Sequence, residues 1–167
     1  MTQTGARSRF WDVVADVLDP EVPVLSIVDL GIVRDVREEG DTVVVDVTPT
    51  YSGCPAMHVI QQDIESALRH AGAAQVRINT VFQPAWTTDW ISEDARERLR
   101  VYGIAPPSGR APASGELISL QRRTPVVACP NCGSANTTER SAFGSTACKA
   151  IWFCNACSEP FEYLKPI

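Results

Sequence analysis

Two cysteine pairs constrain this chain more than anything else in it: Cys129-Pro130-Asn131-Cys132 and Cys154-Asn155-Ala156-Cys157. One Cys-x-x-Cys arises by chance or serves redox chemistry. Two of them, separated by about one hairpin, describe a four-thiolate tetrahedral cage, because two intervening residues let both sulfurs of a pair face the same ion. The turn chemistry agrees. Gly133 follows the first pair, where a positive φ comes most easily to glycine, and Asn131 and Asn155 tolerate tight turns. Thr137 to Arg140, Ile151 to Phe153 and Phe161 to Leu164 read as short strands. Residues 123–167 are therefore expected to form a zinc-ribbon-like module whose core is too small to hold without metal. Zinc is the default ion, and iron suits the same four sulfurs.

The alternative use of such pairs is a disulfide. The segment Met1-Thr2-Gln3-Thr4-Gly5 has no apolar run and the chain has no membrane-length apolar stretch, so a cytoplasmic setting is expected, where disulfides are rare. Cys148 is a further thiol just before the second pair. It reads either as a small packing residue beside the cage, and an alternative ligand, or as an exposed thiol made more acidic by Lys149.

Charge limits what the ribbon can bind. The chain carries a net charge of −5. Residues 1–88 hold 6 basic against 12 acidic side chains, and residues 123–167 hold 4 against 3. Ribbons that bind nucleic acid need a basic face to neutralise phosphates. This one lacks it, so neither a nucleic-acid nor a membrane partner is expected.

Residues 1–88 read as an α+β domain. Phe10, Trp11, Val14, Val17 and Leu18 recur at helical spacing until Pro20. Ile32 to Val36 and Thr42 to Val47 form a hairpin around Glu39-Gly40-Asp41. Ile60, Ile64, Ala67, Leu68 and Ala71 mark a second helix, and Val76, Ile78 and Thr80 alternate as a further strand. The expected domain is two helices on a mixed three- or four-stranded sheet. Between strand and second helix lies Ser52-Gly53-Cys54-Pro55. Proline suits the first turn of a helix, which places Cys54 at or just before the N-terminus, where free amide groups and the helix dipole favour a thiolate. Cys54 is either a nucleophile or metal ligand, or a small residue filling a tight turn. Asp19-Pro20-Glu21 is either a helix exit with a solvated carboxylate or part of a site.

Residues 89–122 read as a helix and a linker. Ser92 is the expected N-cap, with Leu99 and Val101 toward the body, and Pro106, Pro107, Ser108, Gly109 and Pro112 form the linker. Trp86 and Trp90, four apart, cover a small core or anchor a partner. His58 and His70 have no ligand-like spacing and read as surface or packing residues. No nucleotide-binding glycine loop, histidine-rich iron site or Ser/His/Asp set is present, so an enzyme is not expected.

Asp19-Pro20-Glu21, Ile27-Val28-Asp29-Leu30-Gly31-Ile32-Val33 and Ser52-Gly53-Cys54-Pro55 resemble the SufT-like iron–sulfur cluster assembly family. With Trp86-Thr87-Thr88-Asp89-Trp90, Tyr102-Gly103-Ile104-Ala105-Pro106-Pro107 and the cysteine-rich end, the whole chain resembles the PaaD family, small accessory proteins of the bacterial phenylacetyl-CoA oxygenase (epoxidase) system. The resemblance implies a role in aerobic phenylacetate catabolism and in iron–sulfur maturation, with Cys54, Asp19 and Glu21 matching the motif positions. It also implies partners: the oxygenase subunits, among them a di-iron oxygenase and an iron–sulfur reductase. One cysteine cannot hold a cluster alone. A transient cluster at Cys54 would need a second protomer as in a homodimer, a client thiol, or the C-terminal cysteines.

Overall fold

The computed structural model describes residues 8–51, 53–108 and 125–167. They fall into two compact units that divide between Trp86 and Thr87. Ser52, Gly109 and Pro112 lie outside the described residues.

The first unit contains α1 (Trp11–Ala15), β1 (Val33–Glu39), β2 (Thr42–Val47), α2 (Ala56–His70) and β3 (Gln75–Thr80). β1 pairs antiparallel with β2, and β2 pairs parallel with β3, so the sheet is mixed and three-stranded with β2 at its centre. α2 is the crossover that a parallel pair requires. Its apolar stripe, Ala56, Ile60, Ile64 and Leu68, is buried at spacings of four residues, as one face of a 3.6-residue period demands. Opposite it, Val43, Val45 and Val47 are buried on alternate positions of β2. Val44 is also fully buried, although it points to the other sheet face. Its register neighbours are Arg37 and Arg77, long side chains able to cover apolar surface while keeping their charges in water. Arg37 binds Asp46 at 2.5 Å and Asp35 at 3.2 Å.

The first helix is shorter than its apolar spacing predicts. It stops at Ala15 because the chain folds back: Ile27 N–H donates to the Val17 carbonyl at 3.0 Å, Asp19 N–H to the Leu25 carbonyl at 2.9 Å, and Leu18 bridges Ser26. Residues 17–19 commit their backbone groups to that bridge, and Leu18 is left 51% exposed.

The second unit starts with a 3₁₀ turn, Thr88–Trp90, and α3, Glu93–Tyr102. Ser92 caps α3 by accepting from the Ala95 N–H at 3.1 Å, and Gly103 ends it at φ +99°. Leu99 is buried as expected, whereas Val101 is 73% exposed. Two residues along a helix is more than half a turn, so Leu99 and Val101 cannot share a face. The sheet of this unit runs in the order β4 (Ile104–Ala105), β7 (Pro160–Leu164), β6 (Lys149–Cys154) and β5 (Thr137–Ser141). β5, β6 and β7 are the three expected ribbon strands, antiparallel in turn. β4 is an addition, pairing parallel with β7 through Ile104 and Ala105.

Candidate functional site

The cage is made by two loops of the same design. In the first, Cys129 N–H donates to the Ser134 carbonyl at 2.9 Å and Gly133 N–H to the Cys129 carbonyl at 2.9 Å. In the second, Cys154 N–H donates to the Glu159 carbonyl and Ser158 N–H to the Cys154 carbonyl, both at 2.9 Å. Each loop therefore turns back on its first cysteine and holds both sulfurs on one side. The turn needs a left-handed residue after the second cysteine. Gly133 supplies it at φ +74°, and Ser158 does the same at φ +61°.

These loops bring all four sulfurs within 4.8 Å of one another. Cys129 Sγ lies 3.7 Å from Cys157 Sγ, and Cys132 Sγ lies 3.5 Å from Cys154 Sγ. A disulfide needs about 2.05 Å. An ion about 2.3 Å from each of four tetrahedral sulfurs sets them about 3.8 Å apart. The donor set and its spacing therefore fit a four-thiolate metal site, and all six cysteines of the chain are free of disulfides. Cys129 and Cys154 are buried, Cys157 is half-buried and Cys132 is exposed. The Cys154 thiol is drawn down to about 6, chiefly by the Cys157 backbone N–H, with the Ala156 N–H also opposing burial. Burial pushes Cys157 up to about 12, with Cys154 beside it acting in the same direction. Metal binding to the four sulfurs expels the protons that the thiols still carry.

Below the cage lies a small core of Ala105, Val127, Ala150, Trp152, Phe161 and Tyr163, and the two buried cysteines are part of it. Trp152 and Tyr163 meet edge to face with centroids 5.8 Å apart.

Cys148 is not a member of the four-sulfur group. It is half-buried, and its Sγ is 3.1 Å from Thr146 Oγ1. Lys149 is buried, and its ammonium is paired with Glu162 at 2.8 Å.

Cys54 stands where the sequence places it. Pro55 is the N-cap of α2 and Ala56 its first residue, so Cys54 immediately precedes the cap of a 15-residue helix. Its N–H donates to the Tyr51 carbonyl at 3.2 Å, its carbonyl accepts from Met57 N–H at 3.3 Å, and the residue is half-buried. Asp19 differs from the solvated corner expected of Asp-Pro-Glu. It is 5% exposed, and its Oδ1 accepts from the Glu21 N–H at 2.9 Å and the Val22 N–H at 2.8 Å. Burial is compensated by these charge-assisted bonds, so Asp19 shapes its own loop and holds the half-buried Glu21 in place. His58 and His70 are exposed on α2. Trp86 is buried in the first unit, its indole N–H donating to the Leu30 carbonyl at 2.8 Å.

Known proteins share this arrangement. Residues 8–80 match the family described as iron-sulfur cluster assembly protein, and residues 113–165 match the PaaD zinc beta ribbon domain. An Escherichia coli protein named as a putative 1,2-phenylacetyl-CoA epoxidase subunit is 47% identical over 159 residues, covering 95% of this chain and 92% of the relative. The chain belongs to the PaaD family. Two shorter relatives align with half of it. A Porphyromonas gingivalis Fe-S protein maturation auxiliary factor is 37% identical over 50% of this chain and 80% of its own length. The Staphylococcus aureus Fe-S protein maturation auxiliary factor SufT is 36% identical over 51% of this chain and 98% of its own length. The PaaD-family chain thus joins an assembly-type α+β domain to a four-cysteine ribbon. Ser158 is the functional-site residue that sequence reasoning misses, because a left-handed serine has no compositional signature. Only its place after the second pair, matching Gly133 after the first, points to it.

Proposed function

We propose that this protein is a non-catalytic accessory factor of the phenylacetyl-CoA oxygenase complex, acting in the cytoplasm to help assemble iron–sulfur or iron centres in partner subunits, above all the iron–sulfur reductase. The observation that carries this reading is Cys54, a half-buried thiol directly before the cap of α2, in the half of the chain that relatives named as Fe-S maturation factors align with. A cluster passes by ligand exchange: Cys54 replaces one donor ligand on iron and a client thiolate then replaces Cys54. No electron moves, and the thiol protons go to solvent. Glu21, held by the Asp19 loop, is assigned to the same acidic corner.

The four-cysteine cage holds zinc in this reading and folds a docking module for partner subunits; iron in its place would be revealed by elemental analysis. Cys54→Ala should leave folding and ribbon metal unchanged while lowering cluster loading of co-expressed reductase, read from iron content and visible absorbance. Unchanged loading sinks the transfer role.

A second reading rests on the Escherichia coli relative's name, which makes it part of the epoxidase: a stoichiometric structural component of the oxygenase. Removing the protein from the assembled complex separates the two. A maturation factor leaves turnover intact, and a structural component takes activity with it.

A further inference from the structure

The two edges of the three-stranded sheet are built differently. β1 carries a bulge between Val33 and Asp35 and the charged residues Arg34, Asp35, Arg37, Glu38 and Glu39. Bulges and charges are what keep a sheet edge from pairing with another chain. β3 has neither defence in strength: its register with β2 is unbroken from Gln75 to Thr80, and Arg77 is its sole charge. Gln75 N–H donates to the Asp41 carbonyl and Val81 N–H to the Val47 carbonyl, which sets the phase of the ladder. Odd-numbered residues bond inward to β2, and Val76, Ile78 and Thr80 turn their N–H and C=O groups outward. Among the described residues no strand lies beyond this edge. A groove of about 340 Å³ runs beside it, lined by Val76 and Ile78 together with His58, Gln61, Gln62 and Glu65 of α2.

We propose that β3 is a dimerisation edge, pairing antiparallel with β3 of a second copy of this chain about a two-fold axis at Ile78. Symmetric dimers require a self-complementary patch, and β3 is one. With the axis at Ile78, Ile78 meets Ile78 of the second copy and Val76 meets Thr80 in both directions, as hydrogen-bonded pairs. Every outward group of Val76, Ile78 and Thr80 is satisfied. Arg77 then lies opposite Asn79. Moving the axis to Arg77 leaves Thr80 unpaired and sets two like charges side by side, which is unfavourable. Strand alternation sends Val76 and Ile78 of the second copy toward the groove beside α2. A single short edge is a small interface, so association is weak and concentration-dependent. This inference does not rest on the role given to Cys54.

Sedimentation velocity of the full, metal-loaded chain over a wide concentration range tests it. The wild type should shift from monomer to dimer, and the amides of Val76, Ile78 and Thr80 should exchange more slowly as concentration rises. Ile78→Pro removes an outward N–H and no bond to β2, and Ile78→Lys adds the charge that natural edges use. Both should melt as folded protein and weaken association at least about tenfold. A wild type that stays monomeric, or a dimer that survives both substitutions, overturns the proposal. So does protection of those amides that appears only when an oxygenase component is added, since the edge would then take a partner's strand.

Discussion

The two thiol sites differ in what surrounds them. Cys129 and Cys154 are part of the ribbon's own core, alongside Trp152, Phe161 and Tyr163. Cys54 stands at the end of a helix whose unit is packed independently of it, by Leu25, Ile27, Ile32, Val45, Val47, Ile60, Ile64 and Leu68, each no more than 2% exposed. A metal held by core residues is expected to be a condition of folding, because losing it would unpack the core. A metal met by a thiol outside the core can come and go without structural consequence. In the function proposed above, this difference is what would separate permanent ligation at the cage from transient ligation at Cys54.

The largest effect should therefore come from breaking the cage. Chelation, or Cys154→Ser, is expected to unfold the second unit while the first remains folded, seen as loss of β5–β7 amide protection with α2 and β1–β3 protection retained. Structural zinc is worth about 10 kcal/mol or more in comparable small sites, beyond what the ribbon's few buried apolar residues can replace. If Trp152 and Tyr163 stay packed without metal, the cage is not the ribbon's fold determinant.

The reverse experiment acts on the first unit. Ile64→Ala removes a fully buried side chain of α2 and should cost about 3–4 kcal/mol there. Metal content of the ribbon should not change. Two separate thermal transitions, only one of them moved, would be the signature.

These contrasts are partly legible in the sequence. The paired cysteines, the α2 stripe and the β1–β2 hairpin are local patterns, and local patterns survive into the structure. What escapes a sequence reading depends on distant partners. Ile104 and Ala105 become a strand only because β7 offers its edge, and nothing at those two positions announces it. Trp11 to Leu18 has helical spacing, yet pairing with Leu25, Ser26 and Ile27 wins residues 17–19. Asp19 reads as solvated because a carboxylate usually is. Its burial follows from two backbone donors that exist only once the loop has closed.

An intermediate effect is expected at the buried ion pair of the ribbon. Glu162→Gln takes the carboxylate from an ammonium that is almost wholly buried, at a cost of about 3 kcal/mol. Lys149→Met added to it should recover much of the loss. The pH dependence has a definite sign. Burial raises the Glu162 carboxyl, but Lys149 and Ser145 more than offset this, leaving it below the usual glutamate range. A carboxyl depressed by folding stabilises above its ordinary value and loses that contribution as pH falls through its folded one. Acid should therefore weaken the wild-type ribbon more steeply than the Glu162→Gln variant, measured with metal content held constant.

The smallest effect compares the two halves of the cage itself. Both loops need a left-handed residue after their second cysteine, at Gly133 and at Ser158. Glycine adopts that conformation without penalty, and serine carries the steric cost of its Cβ. Gly133→Ala should destabilise the ribbon by about 1 kcal/mol. Ser158→Gly should stabilise it by a smaller amount, about 0.5 kcal/mol, because relief of strain is offset by the greater freedom of glycine in the unfolded chain. The measurement is the chelator concentration at which the metal is lost, which should fall for the first variant and rise for the second. The same sign for both would mean that the loops are not equivalent, and that the Ser158 conformation is held by something other than the turn they share.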